Sequence, residues 1–367
     1  MSTNQNKIIN HKYYMMLALQ QANINLGNTK ENPSVGCAIV KKNTLISLGG
    51  TSKNGRPHAE SNSINFSKTN LKGSNIYITL EPCSHIGKTF PCTDKIIKSK
   101  IKKVFYSIKD PDKRSFDKSF LILKKKGISV NIGVYSSTIK EFYKSYIIYK
   151  SKKLPFVISK LAVSKDLYSK NTNSKWITNE HSRSRVHLLR SQSDCILTSS
   201  KTILDDNPLL TCRIDGLEER SPTKIILDKN LKVLIKSNII KNNFNKKTII
   251  FYNKINLNKI NSMKKKGVKL YQIPLDETKN LDLEKCLIKI KELGFSRVFL
   301  ESGIKLTSSF FNKNLVNEFK IFISDKKLKK KGKGNIKFFF KKYLNDKFKQ
   351  LEKVNLFGDK LISYKIK

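Results

Sequence analysis

Four residues in the first third of the chain have the types and spacing to do chemistry. His58, Cys83 and Cys92 are ligand types for zinc, and Glu60 follows His58 by two positions. One imidazole and two thiolates fill three corners of a zinc tetrahedron and leave the fourth open. Water held at such an open position loses its proton near neutral pH, where bulk water does not. Glu60 is close enough to handle that proton without being a ligand. The set suits hydrolytic exchange of an amino group on a ring carbon for oxygen.

The elements that must position these residues are legible as an alternation of strand-like and helix-like segments. A helix is expected over 12–22, and strands over 35–40 and 44–48, joined by a polar turn at 41–43. A helix over 58–66, a strand over 75–80, a helix over 92–99 and a strand over 103–108 follow. Segments 116–126 and 128–132 complete the pattern. Strands separated by helices imply a layered α/β domain. His58 then opens a helix, and Cys83 and Cys92 bracket the loop leading into the next. Helix N-termini carry partial positive charge and favour thiolate over thiol. Cys37, Cys195, Cys212 and Cys286 carry no such partner and read as small core residues.

A chain of 367 residues has room for two domains, each with its own core. Residues 133–153 read as a polar, aromatic-studded connector, and a fresh apolar run begins at Phe156. The expected division is therefore 1–150 and 151–367. The second part again mixes strands (194–198, 224–228, 247–252, 297–301, 318–323) with helical stretches such as 180–190 and 283–293. The lysine run 326–333 reads as a solvated loop, and 326–342 as compositionally biased and uninformative. No G-x-G-x-x-G follows a strand, so a Rossmann dinucleotide fold has no support.

The formal charge is +45. Such a balance favours polyanions, but the lysines are spread along the whole chain rather than gathered in one block. Joint enrichment in Lys, Asn and Ile is also what A/T-rich codons produce. The charge is expected to help collect a phosphorylated substrate, and specific nucleic-acid binding is not expected. No apolar run reaches the roughly 20 residues needed to cross a bilayer, and MSTNQNKIINHKYY lacks the apolar middle of a secretory signal. Six scattered cysteines do not look like a disulfide framework. A reducing, cytoplasmic setting without membrane attachment is expected.

Many zinc deaminases carry their cysteines as C-x-x-C, whereas eight residues separate Cys83 from Cys92 here. With that insert, the segments Asn32-Pro33-Ser34-Val35-Gly36, His58-Ala59-Glu60 and TLEPCSHIGKTFPC (79–92) resemble the deaminase half of the bifunctional riboflavin-biosynthesis deaminase–reductases. The resemblance implies a cytidine-deaminase-like three-layer domain. In it His58, Cys83 and Cys92 would hold one zinc ion, and Glu60 would be the proton shuttle. Asn32, His85 and Lys88 match positions that place the substrate, a phosphorylated pyrimidine. A turn-forming role before Pro33 is the rival for Asn32, and an ordinary polar loop is the rival for His85 and Lys88.

The second half continues the resemblance through residues 160–166, Ser174-Lys175-Trp176-Ile177-Thr178, LRSQSDCILTSSKTILDDNPLLTCR (189–213) and Phe299-Leu300-Glu301-Ser302-Gly303, thinning after about Asn314. It implies a dihydrofolate-reductase-like domain that moves hydride from NADPH to the ribosyl C1′. Ser174, Arg190, Leu210, Arg213 and Glu301 would contact substrate, the two arginines as forked donors to a phosphate. Val163, Trp176, Thr202, Asp206, Gly303, Ile304, Lys305, Leu306, Thr307, Ser308 and Ser309 would line NADPH, with a glycine-led helix start facing a cofactor phosphate. Three departures stand out. Leu167 replaces a residue that permits unusual backbone angles, Asn207 replaces an aspartate, and Ile304-Lys305 replaces smaller residues. The resemblance also implies a homo-oligomer. Two rivals are a deaminase whose second domain is only structural, and a basic nucleic-acid-binding protein on a deaminase fold.

Overall fold

The computed structural model describes residues 10–243 and 247–367, so most of the N-terminal stretch read above as lacking a secretory pattern lies outside the described residues. The chain divides into two compact units, Met1–Lys152 and Lys153–Lys367. Among the described residues, no helix is long and apolar enough to cross a membrane. All six cysteines are free thiols; Cys37, Cys195, Cys212 and Cys286 are buried, as their lack of partners implied.

In the first unit the order is α1 (His11–Ile24), β1 (Gly36–Lys41), β2 (Thr44–Gly50), α2 (Ala59–Phe66), β3 (Asn75–Leu80), α3 (Cys92–Lys98), β4 (Lys103–Ile108), α4 (Lys118–Lys125), β5 (Ser129–Ile132) and α5 (Ser136–Ser151). The sheet runs β2-β1-β3-β4-β5. β1 is antiparallel to both its neighbours, and β3, β4 and β5 are parallel. α1 packs on β1–β3 and α2 on β1 and β2. Their shared core includes Met15, Ala18, Ile39, Tyr77, Ile78 and Tyr106. α2 lies close on β2 because position 49 is glycine. A Cβ there would stand 2.4 Å from the Ala59 carbonyl oxygen and 2.5 Å from the Ser63 nitrogen. That close approach sets the depth of the helix that carries Glu60.

The segment expected as a connector is instead α5. Ile139, Tyr143 and Tyr146 fall on one helical face and are buried in the core of the first unit. The phenols bury because each finds a partner. Tyr143 Oη donates to the Ser34 carbonyl at 3.0 Å and lies 2.7 Å from Thr79 Oγ1, while Tyr146 Oη donates to Asp110 at 3.0 Å. Its polar composition belongs to the outer face.

The second unit begins with β6 (Phe156–Val163), β7 (Tyr168–Asn171), α6 (Glu180–Ser191), β8 (Cys195–Ser199), α7 (Ser200–Asp206) and β9 (Thr223–Leu227). α8 (Asn238–Lys241), β10 (Thr248–Tyr252), α9 (Leu257–Lys265), β11 (Lys269–Gln272), α10 (Leu283–Glu292) and β12 (Arg297–Glu301) follow. It ends with α11 (Ile304–Asn312), β13 (Glu318–Ile323), β14 (Gly332–Asn335), α12 (Lys337–Tyr343), β15 (Lys349–Leu351) and β16 (Lys360–Lys365). The large sheet runs β11-β10-β9-β8-β12-β6-β13-β16-β15. It is parallel from β11 through β13, with β16 antiparallel to both β13 and β15. β7 and β14 form a separate antiparallel ribbon.

The lysines of the run 326–333 are exposed, as read, but segment 326–342, expected to be uninformative, contributes a strand and a helix from Gly332 onward. Its lysines are mostly exposed, but Ile336 and Phe339 enter the core. The Phe339 ring lies 4.9 Å from Phe311 and 5.6 Å from Phe319. Two apolar anchors among many lysines make too weak a periodic signal to show a helix in the sequence.

Candidate active sites

His58 is the N-cap of α2 with extended backbone, and Glu60 stands in the first turn, 3% exposed. Cys92 opens α3, and Cys83 lies just past the end of β3. These elements bring the expected ligands together: His58 Nδ1 is 3.5 Å from Cys83 Sγ and 3.4 Å from Cys92 Sγ. The three donor atoms all lie within 4.8 Å of one another. Zinc bonds of about 2.3 Å to sulfur and about 2.0 Å to nitrogen, at a tetrahedral angle, put N and S about 3.5 Å apart. The donor set and spacing fit zinc.

The electrostatics of the cluster point the same way. The hydrogen bond from Cys92 brings Cys83 down to about 4 against the effect of burial, with His58 aiding. Cys92, on the other side of that bond and more deeply buried, is raised well above the usual thiol range. The two thiols and the imidazole thus set one another's titration, and a metal ion bound by all three would require both sulfurs as thiolates. The Cys92 N–H, at the start of α3, donates to Cys83 Sγ at 3.3 Å. Burial pushes Glu60 up to about 7, with the His58 charge opposing.

Asn32 ties its own turn to the segment around Gly55. Its Nδ2 donates to the Gly55 carbonyl at 3.1 Å, leaving Oδ1 available. Gly55 has φ of 88°, and a Cβ there would stand 2.5 Å from that amide nitrogen. His85 is half-buried, with Nδ1 3.0 Å from Ser115 Oγ. Lys88 is exposed on the same loop.

A cavity of about 540 Å³ opens in the second unit. Ser174, Trp176, Arg190, Thr202, Asp206, Arg213 and Glu301 line it, together with Gly303, Ile304, Lys305 and Leu306. Other expected residues lie outside that lining. Val163 is in the sheet core, Leu210 is buried with φ of 51°, Thr307 is fully buried under the turn, and Ser308 and Ser309 continue α11 away from it. Only the first turn of a helix that starts at a pocket can face it, which separates Ile304–Leu306 from the residues behind.

α6 is capped by Asn179, whose Oδ1 accepts from the Ser182 N–H at 2.9 Å, and it carries His187 and Arg190 one turn apart. Arg190 does not stand free for a phosphate. Its Nε and Nη2 donate to the two Glu301 oxygens, each at 2.9 Å, and Nη1 donates to the Thr211 carbonyl at 2.9 Å. Lys160 Nζ lies 3.8 Å from Glu301. Burial alone would raise Glu301, but the Arg190 and Lys160 charges outweigh it and bring it down to about 2. Burial and two neighbouring arginines lower His187 to about 4. Lys160 and His187 are pocket residues that the sequence reading did not assign. Trp176 is a rim residue, 52% exposed, 4.9 Å from the Arg183 guanidinium.

The three departures in this unit are accommodated. Leu167 keeps the left-handed angle, φ 67°, and its N–H closes the turn onto the Ser164 carbonyl at 2.9 Å. Asn207 ends α7 with φ of 41°, a conformation asparagine tolerates. Ile304 leans on the core while Lys305 is exposed at the cavity, and Gly303 remains the cap before them.

Fold and site thus define a zinc-type deaminase unit followed by a second α/β unit with its own cationic pocket. The cytidine and deoxycytidylate deaminase zinc-binding region matches residues 8–108, and the RibD C-terminal domain matches 155–354. The riboflavin biosynthesis protein RibD of Aquifex aeolicus is 34% identical, covering 86% of this chain and 87% of its own. That of Escherichia coli is 30% identical, over 88% and 90%. The crystal structure of a diaminohydroxyphosphoribosylaminopyrimidine deaminase/5-amino-6-(5-phosphoribosylamino)uracil reductase from Thermotoga maritima superimposes with a TM-score of 0.82 at 29% identity, covering 97% and 99%. The chain belongs to the RibD family of riboflavin biosynthesis, with a zinc-binding deaminase domain and an NADPH-using reductase domain.

Proposed function

We propose that the first unit deaminates 2,5-diamino-6-(5-phosphoribosylamino)pyrimidin-4-one. In the same reading the second unit reduces the ribosyl group of 5-amino-6-(5-phosphoribosylamino)uracil to ribityl. The observation that carries this reading is the His58, Cys83 and Cys92 cluster with Glu60 buried beside it. Zinc held by those three residues supplies the Lewis acidity that makes hydroxide available near neutral pH. Glu60 takes one proton from the attacking water and passes it to the ring nitrogen. It then takes the proton of the hydroxyl newly added to the ring carbon and passes it to the amine, which leaves as ammonia as the C=O forms. Asn32 offers Oδ1 to the amino edge of the pyrimidine, and His85 and Lys88 meet its ring carbonyl and phosphate oxygens.

In the second unit NADPH supplies the hydride for C1′. Arg213, whose guanidinium has no protein hydrogen bond among the described residues, takes the phosphate of the substrate. Arg190 and Glu301 face the ligand as a locked pair, with Ser174 across the cavity. Trp176, Thr202, Asp206 and the start of α11 from Gly303 to Leu306 border the cofactor, where backbone N–H groups meet a phosphate. Six free thiols fit a reducing cytoplasm, and the dispersed charge fits a collector of small phosphorylated ligands rather than a nucleic-acid reader. We assign the working form as a homo-oligomer. Glu60→Ala is the direct test: zinc content stays at one per chain while deamination falls about 10²- to 10⁴-fold. Wild-type turnover in that variant refutes the assignment.

A further inference from the structure

Glu81 stands two residues before Cys83 and takes no part in the chemistry above, yet it is 3% exposed and fully engaged. Its Oε2 accepts from the Asp110 and Asp117 N–H groups, each at 3.1 Å. Its Oε1 accepts from the Ser119 N–H at 3.2 Å and the Ser119 hydroxyl at 2.8 Å. α4 has no cap of its own, because Asp117 has left-handed backbone and makes no side-chain cap bond. From the end of β3, Glu81 supplies what an N-cap would, an acceptor for first-turn N–H groups. The same carboxylate thereby ties down both ends of segment 110–119.

Ser115 lies inside that segment and is fully buried. Its N–H donates to the Asp112 carbonyl at 2.9 Å, and its carbonyl accepts from the Lys118 N–H at 3.0 Å. Its hydroxyl lies 3.0 Å from His85 Nδ1. His85 needs such a hold, because the loop beyond it is open to solvent, with Ile86 78% and Phe90 73% exposed. Fixing one ring nitrogen fixes the direction of the other.

We propose that Glu81 and Ser115 are positioning residues of the deaminase. Glu81 secures segment 110–119, and Ser115 within it holds His85 by Nδ1 so that Nε2 meets a carbonyl or phosphate oxygen of the substrate. The proposal rests on the reading above that His85 contacts substrate.

A double-mutant cycle on the zinc-loaded full chain tests it, with the diaminopyrimidine ribosyl phosphate as substrate. Ser115→Ala raises KM about five- to tenfold, the worth of one hydrogen bond, with kcat changed less than twofold and zinc content unchanged. His85→Ala raises KM at least as far, and the Ser115→Ala/His85→Ala double variant matches His85→Ala alone. Glu81→Gln turns an amide N–H₂ against backbone donors and raises KM in the same direction. If that variant does not fold, the Ser115–His85 cycle decides alone. Unchanged KM in Ser115→Ala, or effects of Ser115→Ala and His85→Ala that multiply, overturns the proposal while deamination by the wild type leaves the site reading intact. A wild-type chain that does not deaminate overturns both.

Discussion

Replacing Glu301 by glutamine keeps the shape of the side chain and removes the charge that Arg190 and Lys160 hold. The Glu301 carboxyl is held at about 2, against an ordinary value of 4.5. That difference corresponds to about 3 kcal/mol in favour of the folded second unit at pH 7. The sign follows from a depressed acid: the contribution is complete above the unfolded value of 4.5 and is lost as pH falls through the folded value. At pH 3.5 about 2 kcal/mol remains. Glu301→Gln should therefore be less stable than the wild type by about 3 kcal/mol at pH 7 and by about 2 kcal/mol at pH 3.5. Urea unfolding followed by fluorescence reads this cleanly, since the single tryptophan, Trp176, stands in the second unit. Equal midpoints at pH 7, or a difference that does not shrink in acid, would show that the Arg190–Glu301 pair does not carry the stability assigned to it.

Removing zinc with a chelator should abolish deamination and lower the unfolding midpoint of the first unit; surviving deamination or an unchanged midpoint contradicts the zinc assignment. Leu167→Gly relieves a left-handed backbone cost of about 1 kcal/mol but gives up a partly buried side chain and adds chain entropy. Stability should change by less than about 1 kcal/mol, and the KM for NADPH should stay within twofold; a large change in either shows that the leucine itself shapes the site.

The deaminase site was legible because its residue types are diagnostic, even though Cys83 and Cys92 stand 25 and 34 positions from His58. A common Glu, Arg or Ser gives no such signal. His58 and Glu60 are two residues apart at the start of one helix, and the strand ends at 80 and 108 stand where the alternation placed them. What stayed hidden joins such common residue types across distant parts of the chain. The Arg190–Glu301 pair joins residues 111 positions apart, and the Glu81 contacts join β3 to α4 across 29 to 38 positions. No spacing rule reports such partners. α5 was missed because its polar outer face dominated its composition, while the three residues that decide its burial are spread over two turns. Leu167 looked disruptive because sequence shows the missing permissive residue and not the turn that still forms.

The most direct measurement of the whole account is mass analysis of products from the zinc-loaded chain supplied with the diaminopyrimidine ribosyl phosphate, with and without NADPH. The account predicts exchange of one amino group for oxygen in both cases, followed by gain of two hydrogens only when NADPH is present. Unchanged substrate contradicts the zinc-site assignment, and deamination that never proceeds to the reduced product contradicts the activity assigned to the second unit.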